Sequence, residues 1–213
     1  DETRIVFWRT GFLRNRKMKL SWRNPHTLIC TLTMTVLMIT GSSMLTAQGI
    51  ATFSSEYSAS ANGIKAKASR KLQHLADGSY QFENTLTAKF AGATLATLIE
   101  TSLFDMIGQN ITPLHYQYSL TGISNESKLI AFDWQAMLAV SSETLKSWTI
   151  DLSTNTQDPL SYQLVLPQYL ANQTGSLFEI PIVDGADIEI QRFRIIGEEV
   201  LDSAIGSLNC VIV

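Results

Sequence analysis

Ser161 is the residue of this chain that most resembles a catalytic nucleophile, because it lies three positions after an acid in the run Asp158-Pro-Leu160-Ser161. The same run is typical of a helix start, with an acid at the N-cap and a proline at the first helical position. After residue 47 the chain has neither Gly-x-Ser-x-Gly nor Ser-x-x-Lys, two common settings of a serine nucleophile. We therefore assign Ser161 to the cap and predict no catalytic residue.

The sequence after position 47 also has no recognisable metal-binding or phosphate-binding motif. Only His74 and His115 occur there, 41 positions apart, without a cysteine pair or a Glu-x-x-His pattern. Two acidic groups, at 184–187 and 198–202, flank glycine turns, where solvated carboxylates are expected. Walker A and Gly-x-Gly-x-x-Gly loops are missing as well. The sequence predicts no metal, no cofactor and no enzymatic activity.

Aromatic side chains are the remaining candidates for a binding role. Most of them fall on the apolar side of alternating segments, which favours core packing. The alternative is an apolar groove on the concave side of a curved sheet, where a lipid or a peptide is held. This groove would be lined by Tyr80, Phe82, Phe90, Tyr116, Tyr118, Phe132, Trp134 and Trp148.

Residues 18–47 have the pattern of a secretory signal peptide, with a basic start, an apolar run at 27–40 and a small-residue exit. The apolar run is shorter than the ~20 residues that a membrane-spanning helix needs, so we favour cleavage after Ala47. The alternative is an N-terminal anchor in the inner membrane, facing the periplasm. In either case we expect a periplasmic domain, and we interpret residues 1–17 as a mis-assigned upstream extension.

The charge of the chain changes after this leader. Residues 48–213 contain nine Lys/Arg and 17 Asp/Glu, a net charge of −8. Nucleic acids and anionic membranes bind to basic surfaces, so neither is an expected partner, and membrane contact is expected only through the N-terminal segment. The basic run at 65–71 (Lys-Ala-Lys-Ala-Ser-Arg-Lys) is interpreted as the exposed face of a strand, and Cys210 as a small buried residue.

Apolar and polar residues alternate through most of residues 48–213, which predicts strands with one wet face. Asn62-Gly63 and Asp77-Gly78 mark tight turns, so an antiparallel meander is expected. Strands are predicted at 52–61, 64–72, 79–90, 93–104, 115–122, 128–137, 145–152, 177–183, 187–196, 198–201 and 208–213.

A single substantial helix is predicted at 159–172, kinked at Pro167 and packed on one face of the sheet. In 187–196 the apolar parity changes before Phe193, for which we predict a β-bulge near Gln191 and Arg192. The predicted fold is mainly β. A signal-peptide helix precedes one domain, an antiparallel meander that forms a curved sheet or half-barrel with one packed helix.

The order and spacing of several short motifs resemble DUF3108, a family of exported bacterial proteins of unknown function. The motifs are Tyr57-Ser-Ala-Ser-Ala-Asn-Gly63, Ala68-Ser-Arg70, Asp77-Gly78-Ser-Tyr80, Ile111-Thr-Pro113-Leu-His-Tyr116, Phe132-Asp133-Trp134, Asp158-Pro-Leu160-Ser161 and Phe193-Arg-Ile-Ile-Gly197-Glu-Glu-Val-Leu201. The resemblance implies an envelope location, a β-rich fold and no established catalytic residues. It also implies further strands after Gly206, so a truncated C-terminus is expected.

A half-barrel is similar in shape to lipoprotein carriers. We therefore expect an exported periplasmic, non-enzymatic binding or carrier module for a lipid or another apolar, envelope-derived ligand. The alternative is a structural or interaction protein of the cell envelope that pairs with a protein partner through a sheet edge. A third hypothesis is an enzyme that acts on envelope material.

Overall fold

The computed structural model describes residues 6–8, 50–61, 63–172, 177–203 and 206–213. The predicted leader at 18–47 lies outside these residues. Within the described part of the chain, no helix combines the length and the apolar character needed to cross a membrane.

The described residues form thirteen strands and one helix. In chain order they are β1 (Val6–Trp8), β2 (Phe53–Ala61), β3 (Ile64–His74), β4 (Tyr80–Phe90), β5 (Ala93–Ile107), β6 (Asn110–Gly122), β7 (Glu126–Asp133), β8 (Leu138–Glu143), β9 (Lys146–Asp151), α1 (Tyr162–Asn172), β10 (Leu177–Asp184), β11 (Asp187–Arg194), β12 (Gly197–Ser203) and β13 (Gly206–Ile212).

Strands β2 to β9 form one open antiparallel sheet in which every strand pairs with its neighbours in the sequence. Strands β10 and β11 form a separate hairpin, and β13 lies between β1 and β12 in a small third sheet. The mainly β, antiparallel meander with one helix that the alternation predicted is therefore confirmed.

The glycine turns predicted between the first strands are also confirmed. Ala61 pairs with Ile64 across the first turn, and Gly63 there has a φ of 79°. Such a left-handed conformation is open to glycine without a steric penalty. Asn62 lies outside the described residues. At the next turn, the side chain of Asp77 accepts hydrogen bonds from both the amide and the hydroxyl of Ser79, and these bonds lower the pKa of Asp77.

The predicted strand at 128–137 is wrong in its second half, because β7 ends at Asp133 and β8 begins at Leu138. The turn between them lacks glycine and proline. Instead, the carboxylate of Asp133 accepts the amide hydrogens of Gln135 and Ala136, and Met137 adopts a φ of 56°. A side chain that bonds to the following backbone can replace the usual turn residues.

The β-bulge predicted near Gln191 and Arg192 is also wrong, because β11 pairs with β10 in continuous register. Phe193 lies opposite Phe178 on the buried face of the hairpin, whereas Ile190 lies on the other face and is largely exposed. The apolar residues of β11 therefore change from even to odd positions because Ile190 lies on the exposed face, and not because of a bulge. The pairing is irregular instead at Ala88/Lys89 and at Leu103/Phe104.

Helix α1 is buried on both sides, which explains its nearly continuous apolar sequence. Leu164 and Val165 join the core against the eight-stranded sheet, together with Phe82, Tyr116 and Ile130. A second cluster forms on the hairpin side of the helix. Its buried members are Leu166, Phe178, Ile180, Ile182 and Phe193. The predicted packing of the helix against the sheet is confirmed, and the helix continues through Pro167.

Candidate functional site

The face of the eight-stranded sheet that packs against α1, called here the helix-side face, is only partly covered. Residues directly opposite each other in paired strands share a face. Leu72 is opposite Phe82, which is opposite Ser102, and all three are buried. These residues mark the half of the helix-side face that the helix covers.

The other half of the same face is apolar and is not covered by α1, and we call it the open strip. Leu86 is 36% exposed, Tyr57 45% and Phe90 50%. Small side chains line the middle of the strip, where Ala66 is opposite Ala88, which is opposite Ala96. The open strip consists of Tyr57, Ile64, Ala66, Ala68, Leu86, Ala88, Phe90, Ala96 and Leu98.

A polar row separates the covered half from the open strip. Arg70, Asn84 and Glu100 lie side by side on β3, β4 and β5, since Asn84 is opposite both of the others. The next row toward the open end is entirely apolar, with Ala68, Leu86 and Leu98. The strip therefore begins at a charged border.

Glu100 is held in place by neutral hydrogen-bond donors. Its Oε2 accepts a hydrogen bond from Nδ2 of Asn84 at 2.8 Å, and its Oε1 accepts one from the hydroxyl of Tyr116 at 2.9 Å. Burial and the charge of Glu100 raise the pKa of Tyr116, so the phenol stays a donor. Glu100 takes part in none of the ion pairs formed among the described residues.

Arg70 lies over the covered side of this row. Its guanidinium carbon is 4.9 Å from the centre of the Phe82 ring, and its Nη2 donates to Oε1 of Gln163 on α1. Its Nε is buried without a hydrogen-bond partner. Burial lowers the pKa of Arg70, while Tyr57, Tyr162 and Glu100 act in the opposite direction.

Asp158 and Ser161 cap the start of α1, as the sequence predicted. They are the acid and the serine that were considered as a possible catalytic pair. Asp158 Oδ1 accepts the amide hydrogens of Leu160 at 2.8 Å and of Ser161 at 2.7 Å. Its Oδ2 accepts the hydroxyl of Ser102 at 2.6 Å. Burial raises the pKa of Asp158, and these hydrogen bonds oppose the shift.

The hydroxyl of Ser161 is likewise engaged in this cap. It accepts the amide hydrogen of Asp158 at 3.0 Å and donates to Oε1 of Gln157 at 3.0 Å. Gln157 in turn donates to the carbonyl of Ile111, and its backbone bonds to β10. The buried polar groups thus connect the helix start to two sheets, which is a structural role.

The aromatic residues predicted to line a groove lie mostly in the core. Tyr80, Phe82 and Tyr116 are buried, and Tyr80 stacks on Phe104. Four others are partly buried and pack against the same core: Tyr118, Phe132, Trp134 and Trp148. Only Phe90 of the predicted set belongs to the open strip.

The other residues considered for chemistry are dispersed. His74 and His115 are exposed, and His74 contacts the ring of Tyr80. Asp184 is exposed and bonds to Lys128 at 3.3 Å, and Glu198 is exposed as well. The side chain of Asp202 lies outside the described residues. No group of three or more His, Cys, Asp or Glu in the described chain could hold a metal ion. Cys210 is buried, as expected.

Arg70 and Glu100 are the residues that the sequence reasoning did not identify. Lys65, Lys67 and Lys71 are exposed, which confirms that part of the basic run, but Arg70 was wrongly grouped with them. Its even position places it on the face of Ala68 and Leu72, because side chains alternate along a strand. The even position of Arg70 was thus the feature of the sequence that could have placed it on the helix-side face.

The described residues contain an open antiparallel sheet with one packed helix and an apolar strip that this helix does not cover. The chain belongs to the family described as protein of unknown function DUF3108, whose sequence profile matches residues 56–213. No curated protein and no solved structure matches the chain.

Proposed function

We propose that the protein is an exported, non-enzymatic binding module that carries an apolar, envelope-derived ligand on the open strip. The observation that carries this proposal is the uncovered apolar half of the helix-side face, from Tyr57 across to Leu98. Contiguous apolar surface on a soluble domain usually marks a binding site. Export is supported by the signal-peptide pattern of residues 18–47.

The shape of the strip favours a narrow chain as its ligand. Ala66, Ala88 and Ala96 leave room above the middle of the strip, whereas the larger Leu86 and Phe90 stand on either side along β4. These alanines form a shallow channel across β3, β4 and β5. An extended hydrocarbon that runs along β4 from Leu86 to Phe90 passes over this channel and removes apolar surface from water, at about 0.8 kcal/mol for each methylene.

The helix-side face becomes charged beyond β6, so the apolar strip is confined to the part of the sheet that contains β2 to β5. Lys128 on β7 bonds to Glu143 at 2.9 Å and to Asp184 at 3.3 Å. The hydrogen bond to Glu143 is the main cause that raises the pKa of Lys128. An apolar ligand is therefore expected to follow strands β3 to β5 rather than to cross toward β7.

A steric substitution in the strip tests this proposal. In the full chain, Ala88→Trp fills the channel, while Thr87→Trp places the same side chain on the opposite face of the same strand. Binding of dodecanol is measured by titration calorimetry. If the indole displaces about four methylenes, Ala88→Trp weakens binding by about 3 kcal/mol, more than about a hundredfold.

The Thr87→Trp variant should bind dodecanol as the unmodified protein does, and circular dichroism should show that both variants are folded. Failure of the unmodified protein to bind dodecanol would refute the proposal. Native mass spectrometry of the protein purified from a bacterial envelope, followed by solvent extraction, then identifies the natural ligand.

A second candidate function is pairing with an envelope protein through a sheet edge. Among the described residues, β2 pairs only with β3, so the nine residues of Phe53–Ala61 present one unpaired edge. Such edges can accept an added strand. This function predicts recovery of one protein partner from envelope extracts by the unmodified chain and by Ala88→Trp alike, together with no dodecanol binding.

A further inference from the structure

We propose that Arg70 binds the carboxylate of a long-chain monocarboxylate amphiphile whose hydrocarbon lies along the open strip. This inference rests on the proposed function and adds the chemical class of the ligand. Arg70 follows Ala68 by two positions on the same face of β3, so its backbone stands at the inner end of the strip, and its guanidinium extends from there over Phe82.

The guanidinium has unused capacity for an anion. Arginine has five N–H donors, of which Nη2 of Arg70 bonds to the neutral Gln163 and the buried Nε has no partner. Arg70 takes part in none of the ion pairs among the described residues. Buried donors are normally satisfied, and an arginine without a carboxylate partner is suited to bind one in a bidentate manner.

The neighbouring charge favours a head group with a single negative charge. Glu100 lies in the same polar row and acts electrostatically on Arg70. Because Asn84 and Tyr116 fix the carboxylate of Glu100, it cannot move away from an arriving anion. A phosphate monoester carries almost two negative charges at neutral pH. Glu100 would therefore repel it more strongly than it repels a carboxylate.

The length of the strip fits a lipid-sized chain. The distance from Asn84, in the polar row, to Phe90, at the outer end of the strip, is six residue steps along β4, about 20 Å at 3.3 Å per residue. A hydrocarbon chain in one leaflet of a bilayer spans about 15 Å, half of the hydrocarbon core. An acyl chain can therefore lie on Leu86 and Ala88 while its carboxylate reaches Arg70.

The test compares four probes with twelve-carbon chains (in dodecanoate the twelfth carbon is the carboxyl carbon) in calorimetric titrations of the full protein: dodecanoate, dodecanol, dodecyl phosphate and dodecyltrimethylammonium. We expect dodecanoate to bind about tenfold to a hundredfold more tightly than dodecanol, the range for hydrogen bonds to a charged group. Dodecyl phosphate and the ammonium probe should bind more weakly than dodecanoate.

Substitutions then assign the preference to one side chain. Arg70→Met should abolish the preference, so that dodecanoate binds no more tightly than dodecanol. Arg70→Lys should recover part of the preference, because it keeps the charge but loses the planar fork. The control is Lys71→Met, which removes a neighbouring exposed charge from the opposite face and should change neither affinity.

The outcomes separate this inference from the proposed function. Equal affinities of the unmodified protein for dodecanoate and dodecanol would overturn the role of Arg70 while leaving the apolar strip as a binding site. Tighter binding of dodecyl phosphate would overturn the preference for a single charge. Binding of none of the four probes would refute both. The comparison of probes decides the matter even if Arg70→Met does not fold.

Discussion

Replacing Asp158 by alanine removes the carboxylate that begins α1 and connects it to the sheet. One of its oxygens accepts the amide hydrogens of Leu160 and Ser161, and the other accepts the hydroxyl of Ser102 at 2.6 Å. Asp158, Ser161 and Ser102 are each fully buried. Water cannot replace the carboxylate without opening the core, so we expect the variant to fold with a lower free energy of unfolding.

The expected loss follows from these contacts. Removing an N-cap side chain costs about 1 kcal/mol, and leaving the buried hydroxyl of Ser102 without its partner costs about 1–3 kcal/mol. The variant also relieves the burial of a carboxylate, the effect that raises the pKa of Asp158, and this offsets part of the loss. We expect a net loss of about 1–3 kcal/mol, a large fraction of the ~5–15 kcal/mol typical of a domain.

Urea denaturation followed by far-ultraviolet circular dichroism measures this loss at pH 7, with linear extrapolation to water. The matched control is Asp133→Ala, because Asp133 also accepts two backbone amide hydrogens but is exposed. Water can replace that carboxylate, so we expect a loss below about 1 kcal/mol. If Asp158→Ala loses no more than Asp133→Ala, the buried cap does not stabilise the domain as argued.

Three further predictions concern the same domain. Burial raises the folded-state pKa of Asp158 above its ordinary 3.8, so the folded chain keeps this proton to higher pH than the unfolded chain does. As the pH rises from 4 through the raised pKa, the free energy of unfolding of the unmodified protein should therefore fall relative to that of Asp158→Asn. Urea denaturation at several pH values measures this difference. Phe82→Ala should cost about 3–5 kcal/mol, whereas Phe90→Ala on the same strand should cost below about 1 kcal/mol, because only Phe82 is buried; equal losses in thermal or urea unfolding would contradict this difference. Trp134→Phe should lower the free energy of unfolding by about 1 kcal/mol, because Nε1 of Trp134 donates a hydrogen bond to the carbonyl of Pro113 at 2.6 Å. The comparison is Trp148→Phe. If the unfolding midpoint of Trp134→Phe is not lowered, this hydrogen bond makes no net contribution to stability.

The sequence was sufficient for the strands that alternate regularly and for the turns that contain glycine. The predicted strand at 79–90 corresponds to Tyr80–Phe90, and the helix predicted at 159–172 corresponds to Tyr162–Asn172. These elements depend on local patterns that a sequence displays. The turn before Leu138 was missed because Asp133 supplies it through side-chain hydrogen bonds and Met137 through a left-handed backbone, neither of which requires a glycine.

The candidate site was less accessible to sequence reasoning, for a physical reason. Parity along a strand tells which side chains share a face, but not which part of that face another element covers. Phe82 and Phe90 have the same parity on β4, yet one is buried and the other is half exposed. Their difference depends on where α1 packs, which involves contacts between residues far apart in the chain.

The dimensions of the elements explain why α1 leaves part of this face uncovered. Helix α1 has 11 residues and is about 16 Å long, with a diameter of ~10–12 Å, whereas β4, also of 11 residues, extends for about 36 Å. In whichever direction the helix lies on the sheet, it cannot cover the whole length of β3, β4 and β5. The apolar residues that continue beyond Arg70, Asn84 and Glu100 are the part of this face that α1 leaves exposed. Under the proposed function, the hydrocarbon chain of a ligand lies on these residues and its head group ends at the polar row.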